Sequence, residues 1–500
     1  MAHYKQGNDK QGEFVAVIPE EQITEGSFEA TVCLIVDHVL DLSSFESDFN
    51  NDAGGASAYS LGTLLKIILS AYHRGITSSR KIEHLCRYNT VFMALSGFLT
   101  PDHSTIAAFV SKNPQRLEGI FIEIVLQCDL LGLIGGDTLA LDGCKIPSNA
   151  SKEWSGTKAD FTKKHQKIQR AVRRVMARHR QEDAEGVVNT PVREKEEKQI
   201  EKLKRINKKL KTALSDMVDK RGHNGKVRKT NLTDPDSANM MSGNGGALQG
   251  YVGLAATDKL NQVIVNADVT GDSEQSTLQP MIDKLLASDR LDGCQLLADA
   301  GFHSGVNLDY CAEKGVDAYI ADTLYRKRDA RFVDHQDKKP KARKQKYFQS
   351  SDFEYDPQAQ RCWCPAGKEL WLCSSGYQNK GVEYIRFEGY LNDCKNCAMQ
   401  AQCLRNGVKD RGRQVSIRKD TAKNNSRAID RMKRKMDSPE GRAIYSDRIG
   451  IVEPVFAHMK HIMGLRWFSL RSLKKVSGQW YLFCAVHNLV KIQKYGSYAR

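Results

Sequence analysis

The chain has 500 residues, of which 40% belong to the apolar set AVILMFWYC, enough for about three packed domains. Its longest apolar stretch, residues 119–136, is broken by Glu123, Gln127 and Asp129, and the opening Met1-Ala-His-Tyr-Lys-Gln6 has no apolar signal segment. A cytoplasmic protein is therefore expected, not a secreted or membrane-spanning one. The net charge of +15 is unevenly spread: residues 161–230 hold 22 Lys/Arg against 9 Asp/Glu, residues 324–346 hold 10 against 3, and residues 405–435 hold 12 against 3. Three basic segments on an otherwise acidic chain suit a polyanionic partner, nucleic acid before any other, although each segment alone also fits a solvated face.

In chain order, a polar stretch of about 30 residues precedes a helical unit spanning about residues 31–134. Leu61–Tyr72 has helical apolar spacing and stops at Gly75, Ser79 is placed to cap a helix over 80–87, and Pro101-Asp-His-Ser104 opens another over 105–111. Short helices around tight turns fit a helix-turn-helix-like module, or a small bundle that only packs.

The pattern changes at Asp137. Residues 137–146 alternate like a strand carrying Asp142, and 158–221 read as a long charged helical pair broken near 186–191. Strands follow over 249–257 and 262–269, then an amphipathic helix over 274–287 and a strand over 294–299. A helix over 305–314, a short strand over 318–321 and helices over 438–463 and 474–495 complete the pattern. The expected layout is an α/β core from 135–157 and 245–323, a basic helical insertion over 158–244, a basic Cys-rich insertion over 324–435 and C-terminal helices over 436–500.

This order brings three carboxylates forward: Asp142 and Asp299 on strands, Glu453 on a late helix. Metal-assisted phosphoryl transfer uses carboxylates converging on divalent ions, and hard oxygen ligands suit Mg²⁺ or Mn²⁺. Any one of these acids alone reads as a cap or turn residue. Pro454, directly after Glu453, predicts a helix start or kink.

Six of the 13 cysteines fall within 362–403. Cys394-x2-Cys397 beside further thiols fits a structural Zn²⁺ site. The expected ligands are Cys362, Cys364, Cys394 and Cys397, with Cys373 or Cys403 as substitutes. Little apolar periodicity is evident there, so metal ligation would supply the ordering free energy. His303 reads as a structural or DNA-contacting residue, and Trp467 and Trp480 as packing aromatics, Trp467 also lying near enough to the Glu453 segment to stack on a flipped base.

Several segments resemble the bacterial insertion-sequence transposases of the DDE type. Residues 64–109 resemble their helical DNA-binding domain, LDGCKIPSNAS (141–151) their first-Asp motif, and DPDSANM (234–240) with GYVGLAATD (250–258) the stretch that follows. LLADAGFHSGVNL (296–308) is similar to the second-Asp motif and residues 445–471 to the closing Tyr-Arg-Glu-Lys motif. Four residues separate Arg448 from Glu453, one more than the common spacing. The resemblance implies a ribonuclease H-like catalytic core and the catalytic, Mg²⁺-binding set Asp142, Asp299 and Glu453. It implies that Tyr445, Arg448 and Lys460 contact DNA, and that the Cys-bearing insertion precedes the Glu helix. It further implies cleavage at element ends, joining of 3′-hydroxyls to target DNA, and a homo-oligomer, a dimer on DNA. A DNA-binding descendant without catalysis, or a nuclease on the same fold, are the competing readings.

Overall fold

The computed structural model describes residues 18–46, 57–186, 190–221, 227–241, 245–329, 331, 347–348, 350–356, 358–379, 382–408, 410–418 and 428–496. Two units emerge: Met1–Phe302 with Val316–Ala318 and Ser446–Arg500, and His303–Gly315 with Tyr319–Tyr445.

The first unit begins with helices whose ends follow local chemistry. Phe28–His38 starts where the Ser27 hydroxyl accepts from Ala30 N–H, and His103–Lys112 where the Asp102 carboxylate accepts from Ser104 and Thr105 N–H. The helix expected over 80–87 runs Ser79–Tyr88; Ser79 is its first helical residue rather than its cap, and Ser78 makes no side-chain cap bond. Pro114 opens Pro114–Leu130, where its missing N–H costs nothing.

These helices gather around Leu473–Tyr495, which buries 14 residues and packs against Phe28–His38, Leu61–His73, His103–Lys112 and Pro114–Leu130. Such all-round burial marks a central helix. Its other side meets the sheet. Trp480 Nε1 donates to Leu254 O at 3.0 Å, and Asn488 bonds both backbone groups of Ile264 at 2.9 and 2.8 Å.

The sheet is mixed. Thr138–Pro147 pairs antiparallel with Ala247–Asp258, which pairs antiparallel with Ile264–Thr270; on the other side, Thr138–Leu141 pairs parallel with Gln295–Ala298. Short strands at 155–156, 230–231 and 238–241 extend one end. The expected helix over 274–287 divides into a 3₁₀ turn, Glu274–Thr277, and an α-helix, Leu278–Ala287. Pro280 explains the break, because it cannot donate to Ser276 O in a continuous α-helix.

The basic insertion is a helical pair. Lys158–Glu185 starts on a capping box between Thr157 and Asp160 and ends at Gly186 (φ 68°); Thr190–Asp216 returns beside it. Phe161, Leu210 and Met217 bury its base, and the ion pairs Arg178–Glu196 and Arg193–Asp183 with His179–Glu196 (2.8 Å) link the helices farther out. The helix expected over 438–463 runs Pro439–Ala457 through Pro454 and then loosens into a π-helical turn, His458–Ile462. No helix among the described residues is long and apolar enough to cross a membrane.

The second unit corrects the expectation that the Cys-rich stretch lacks an apolar core. Five antiparallel strands, in the order 414–418, 382–389, 369–379, 361–363 and 354–356, bury Phe353, Cys362, Leu370, Ile385, Phe387 and Val415. Basic residues 332–346 and 419–427 lie outside the described residues.

Candidate active site

The parallel ladder ends at Leu141↔Ala298. Asp142 is the next residue of its strand and Asp299 directly follows the end of the other, so the register sets the two acids side by side. Arg448, buried on the helix Pro439–Ala457, reaches both: Nη1 to Asp142 Oδ2 at 2.8 Å and Nη2 to Asp299 Oδ1 at 3.8 Å. Burial raises the Asp142 pKa and Asp299 adds to that rise, while Arg448 and the Gly143 N–H (2.7 Å to Oδ1) oppose it. A half-buried acid pair holding one guanidinium leaves net negative charge, which suits a cation.

A third carboxylate stands here that the sequence pattern did not single out. Glu274, at the start of the 3₁₀ turn, has its pKa raised by burial and by Asp142 and Asp299, with Lys145 opposing. In sequence it reads as an ordinary helix-opening acid, and the glycines one residue after Asp142 and two after Asp299 do not by themselves point to it.

The expected companions are placed differently from one another. Lys460 lies near the same strand, where its charge opposes the burial-driven rise in the pKa of the Cys144 thiol two residues from Asp142. Glu453 is exposed on Pro439–Ala457, five residues after Arg448 and so about 140° around the helix from it. Tyr445 belongs to the second unit, where its ring meets Tyr325 edge-on at 5.3 Å. Trp480 is fully buried and Trp467 60% exposed. Burial lowers the pKa of half-buried His303.

In the second unit the thiols separate into two groups. Cys362 is buried in the strand core and Cys373 is exposed. Cys364, Cys394, Cys397 and Cys403 line one small cavity of ≈ 40 Å³. Burial raises the Cys403 pKa, and the other three thiols add to the rise. Backbone N–H groups of Lys368 and Arg413 donate to the sulfurs of Cys364 (3.4 Å) and Cys394 (3.5 Å). Cys403 therefore stands where Cys362 was expected. Among the described residues, no three His, Cys, Asp or Glu side chains are already drawn into an ion-holding cluster.

Two exposed cationic faces accompany the site in the first unit. Arg80, Lys81, His84, Arg87 and Tyr88 form the outer stripe of Ser79–Tyr88, whose inner side buries Ile82 and Cys86. Lys202, Arg205, Lys208 and Lys209 line an open groove beside Trp154 on the helical pair.

No curated protein matches the chain. Residues 363–493 match the family model described as Transposase DDE domain, and residues 19–112 the one described as Transposase domain (DUF772). The first match holds the Arg448–Lys460 segment and four converging thiols, and the second holds the helices that carry the cationic stripe. Together the two matches indicate an insertion-sequence transposase of the DDE type.

Proposed function

We propose that the chain cuts DNA at the ends of its element and joins the freed 3′-hydroxyls to target DNA, using the Asp142–Asp299 site. The observation that carries this reading is the meeting of two acids at the end of a parallel ladder, with Arg448 between them. The strand order supports a ribonuclease H-like core: three antiparallel strands, a helix, then a strand parallel to the first. Hard carboxylate oxygens fit Mg²⁺ or Mn²⁺. Asp142 and Asp299 would hold such ions, which would supply activation of the attacking oxygen and charge neutralisation at the leaving one.

The chain's own groups would divide the remaining work. Arg448 orients Asp142 and supplies fixed positive charge. Lys460, beside Cys144, is within reach of a phosphate approaching the strand. Tyr445 is assigned to DNA contact, and Glu453 to the third catalytic position, which its exposed side chain reaches once DNA is bound. Pairing of two element ends favours a two-fold dimer on DNA, working in the cytoplasm at the nucleoid. Asp142→Asn, Asp299→Asn and Glu453→Gln should each reduce cleavage and joining of a labelled terminal-repeat duplex to background while gel-shift affinity stays within about threefold, ~0.65 kcal/mol. Cleavage retained in one variant removes that residue from the catalytic set.

We further propose a structural Zn²⁺ held by Cys364, Cys394, Cys397 and Cys403. The donor set supports it: four thiols around one cavity, with two backbone N–H groups aimed at sulfur. Glycine is also required beside it, since a Cβ at Gly389 would lie 2.9 Å from Cys394 Sγ. Elemental analysis of the purified chain should give about one zinc. Cys394→Ser with Cys397→Ser should lose it and expose residues 362–403 to protease, whereas Cys362→Ala should keep it. A metal-free wild-type chain that resists protease equally well rules the site out.

A further inference from the structure

Glycine follows Asp142 at 143 and follows Asp299 two residues on at 301, and both glycines face the Glu274 side chain. A Cβ at Gly143 would lie 3.2 Å from Glu274 Cγ and Oε1, and also 2.7 Å from Val252 Cγ1; one at Gly301 would lie 2.6 Å from Glu274 Oε2. Neither glycine has a positive φ, so the backbone conformation does not call for glycine. Close approach does. One carboxylate oxygen is turned to the segment after Asp142 and the other to the segment after Asp299.

The turn that carries Glu274 is fixed on both sides. Ser273 accepts from Gln275 N–H at 3.3 Å, Thr277 Oγ1 donates to Glu274 O at 2.6 Å, and Leu278, Met281 and Ile282 anchor the following helix in the core. The carboxylate is thus delivered by packed elements, as a metal ligand needs to be. Glu274, Asp142 and Asp299 are not drawn into an ion-holding cluster, but like charges brought this near repel one another, and a divalent cation that draws them together turns this repulsion into binding.

We propose that Glu274, together with Asp142 and Asp299, is a ligand of the divalent cation used in strand transfer, a role that rests on the phosphoryl-transfer reading of this site. Glu453 then joins the set only with DNA bound, whereas Glu274 belongs to the free protein's site. The competing structural role is an ion pair with Lys145 on the neighbouring strand.

The test uses the full-length protein without DNA, with Mn²⁺ as the probe and binding followed by electron paramagnetic resonance. Glu274→Gln should weaken Mn²⁺ at least tenfold, the lower end of what even outer partners of a metal site contribute. Glu274→Asp should recover part of that loss, and Lys145→Ala should leave Mn²⁺ affinity unchanged. Circular dichroism and melting confirm that each variant is folded. Should Glu274→Gln fail to fold, hydroxyl-radical cleavage of wild-type backbone by Fe²⁺ in the site should cut near 142, 274 and 299. Wild-type affinity in folded Glu274→Gln, an equal loss in Lys145→Ala, or iron cleavage that spares 274 overturns the proposal. Asp142→Asn separates the two levels of the argument. If it loses Mn²⁺ and cleavage while Glu274→Gln keeps both, only Glu274 is misassigned; if it keeps both, the reading of the whole site falls.

Discussion

Single residues here work through enforced neutrality as well as through charge. His487 is fully buried, with Nε2 2.9 Å from Gln262 O and Nδ1 3.0 Å from His458 Nδ1. A carbonyl only accepts, so His487 carries its proton on Nε2 and accepts at Nδ1 from His458 Nδ1–H. Burial pushes the two pKa values down, to about 3 for His487 and about 4 for His458, with Lys491 adding to both and His73 to the latter. The unfolded chain takes up protons below about pH 6.5 while the folded chain does not. Stability is therefore complete above pH 6.5 and falls as the pH drops toward 4, by at most about 1.4 kcal/mol per pH unit for each histidine. Urea midpoints measured between pH 7.5 and 4.5 should show this fall, and His458→Gln with His487→Gln should flatten it. An equally steep fall in the double variant would assign the acid sensitivity elsewhere.

At the scale of elements, the sheet and the central helix are held at a separation that glycine permits. A Cβ on Gly253 would meet three Trp480 ring atoms at 3.0 Å, while that ring donates to Leu254 O. Gly253→Ala should lower stability by about 1–3 kcal/mol, the usual cost of overpacking, read as a shift in urea midpoint at constant slope. Trp480 anchors the helix on which Phe28–His38, Leu61–His73, His103–Lys112 and Pro114–Leu130 pack, so the same change should loosen those helices in hydrogen exchange. An unchanged midpoint would mean that the ring shifts freely.

What the sequence made readable at this scale follows from periodicity. The strands carrying Asp142 and Asp299 and the helix Leu473–Tyr495 have strong apolar patterns, and the structure forms them within a few residues of expectation. The five-stranded sheet was missed because its strands are short or bulged, as between Leu372 and Tyr377, so their alternation is interrupted. VEYIRFEG, with Ile385 and Phe387 inward, was the one clear alternating segment. Cys362 and Cys364 show the remaining limit. Two residues apart on an extended chain they point in similar directions by pattern, yet Cys362 lies in strand Arg361–Trp363 and Cys364 starts the turn after it, where Gly367 N–H donates to Cys364 O. Glu274 was unreadable for a different reason, since its neighbours Gly143 and Gly301 are distant in sequence and meet it only through tertiary packing.

Over the whole molecule, the placement of charge bears on the DNA binding that the transposase matches imply. The first unit offers two exposed cationic faces with different surroundings. The stripe on Ser79–Tyr88 is short, carries Tyr88 at 70% exposure, and sits on a helix fixed to its neighbour by Glu83, which accepts from His103 N–H at 3.2 Å. Such a rigid, partly aromatic face suits recognition of a defined terminal sequence. The groove of Lys202, Arg205, Lys208 and Lys209 is open and on a surface helix, which suits backbone contact with any duplex. Each neutralised phosphate contributes a slope of about −0.9 in log K against log salt. Lys202→Ala with Arg205→Ala and Lys209→Ala should therefore reduce the slope by up to about 2.7 on terminal-repeat and unrelated duplexes alike. Arg80→Ala with Lys81→Ala should reduce it by up to about 1.8 and also narrow the preference for the terminal repeat, which the groove variant should preserve. Fluorescence anisotropy from 50 to 200 mM salt, roughly the span over which such contacts are lost, measures both quantities. Unchanged slopes in both variants would make these faces merely solvated surfaces, and a lost preference in the groove variant alone would reverse the assignment of roles.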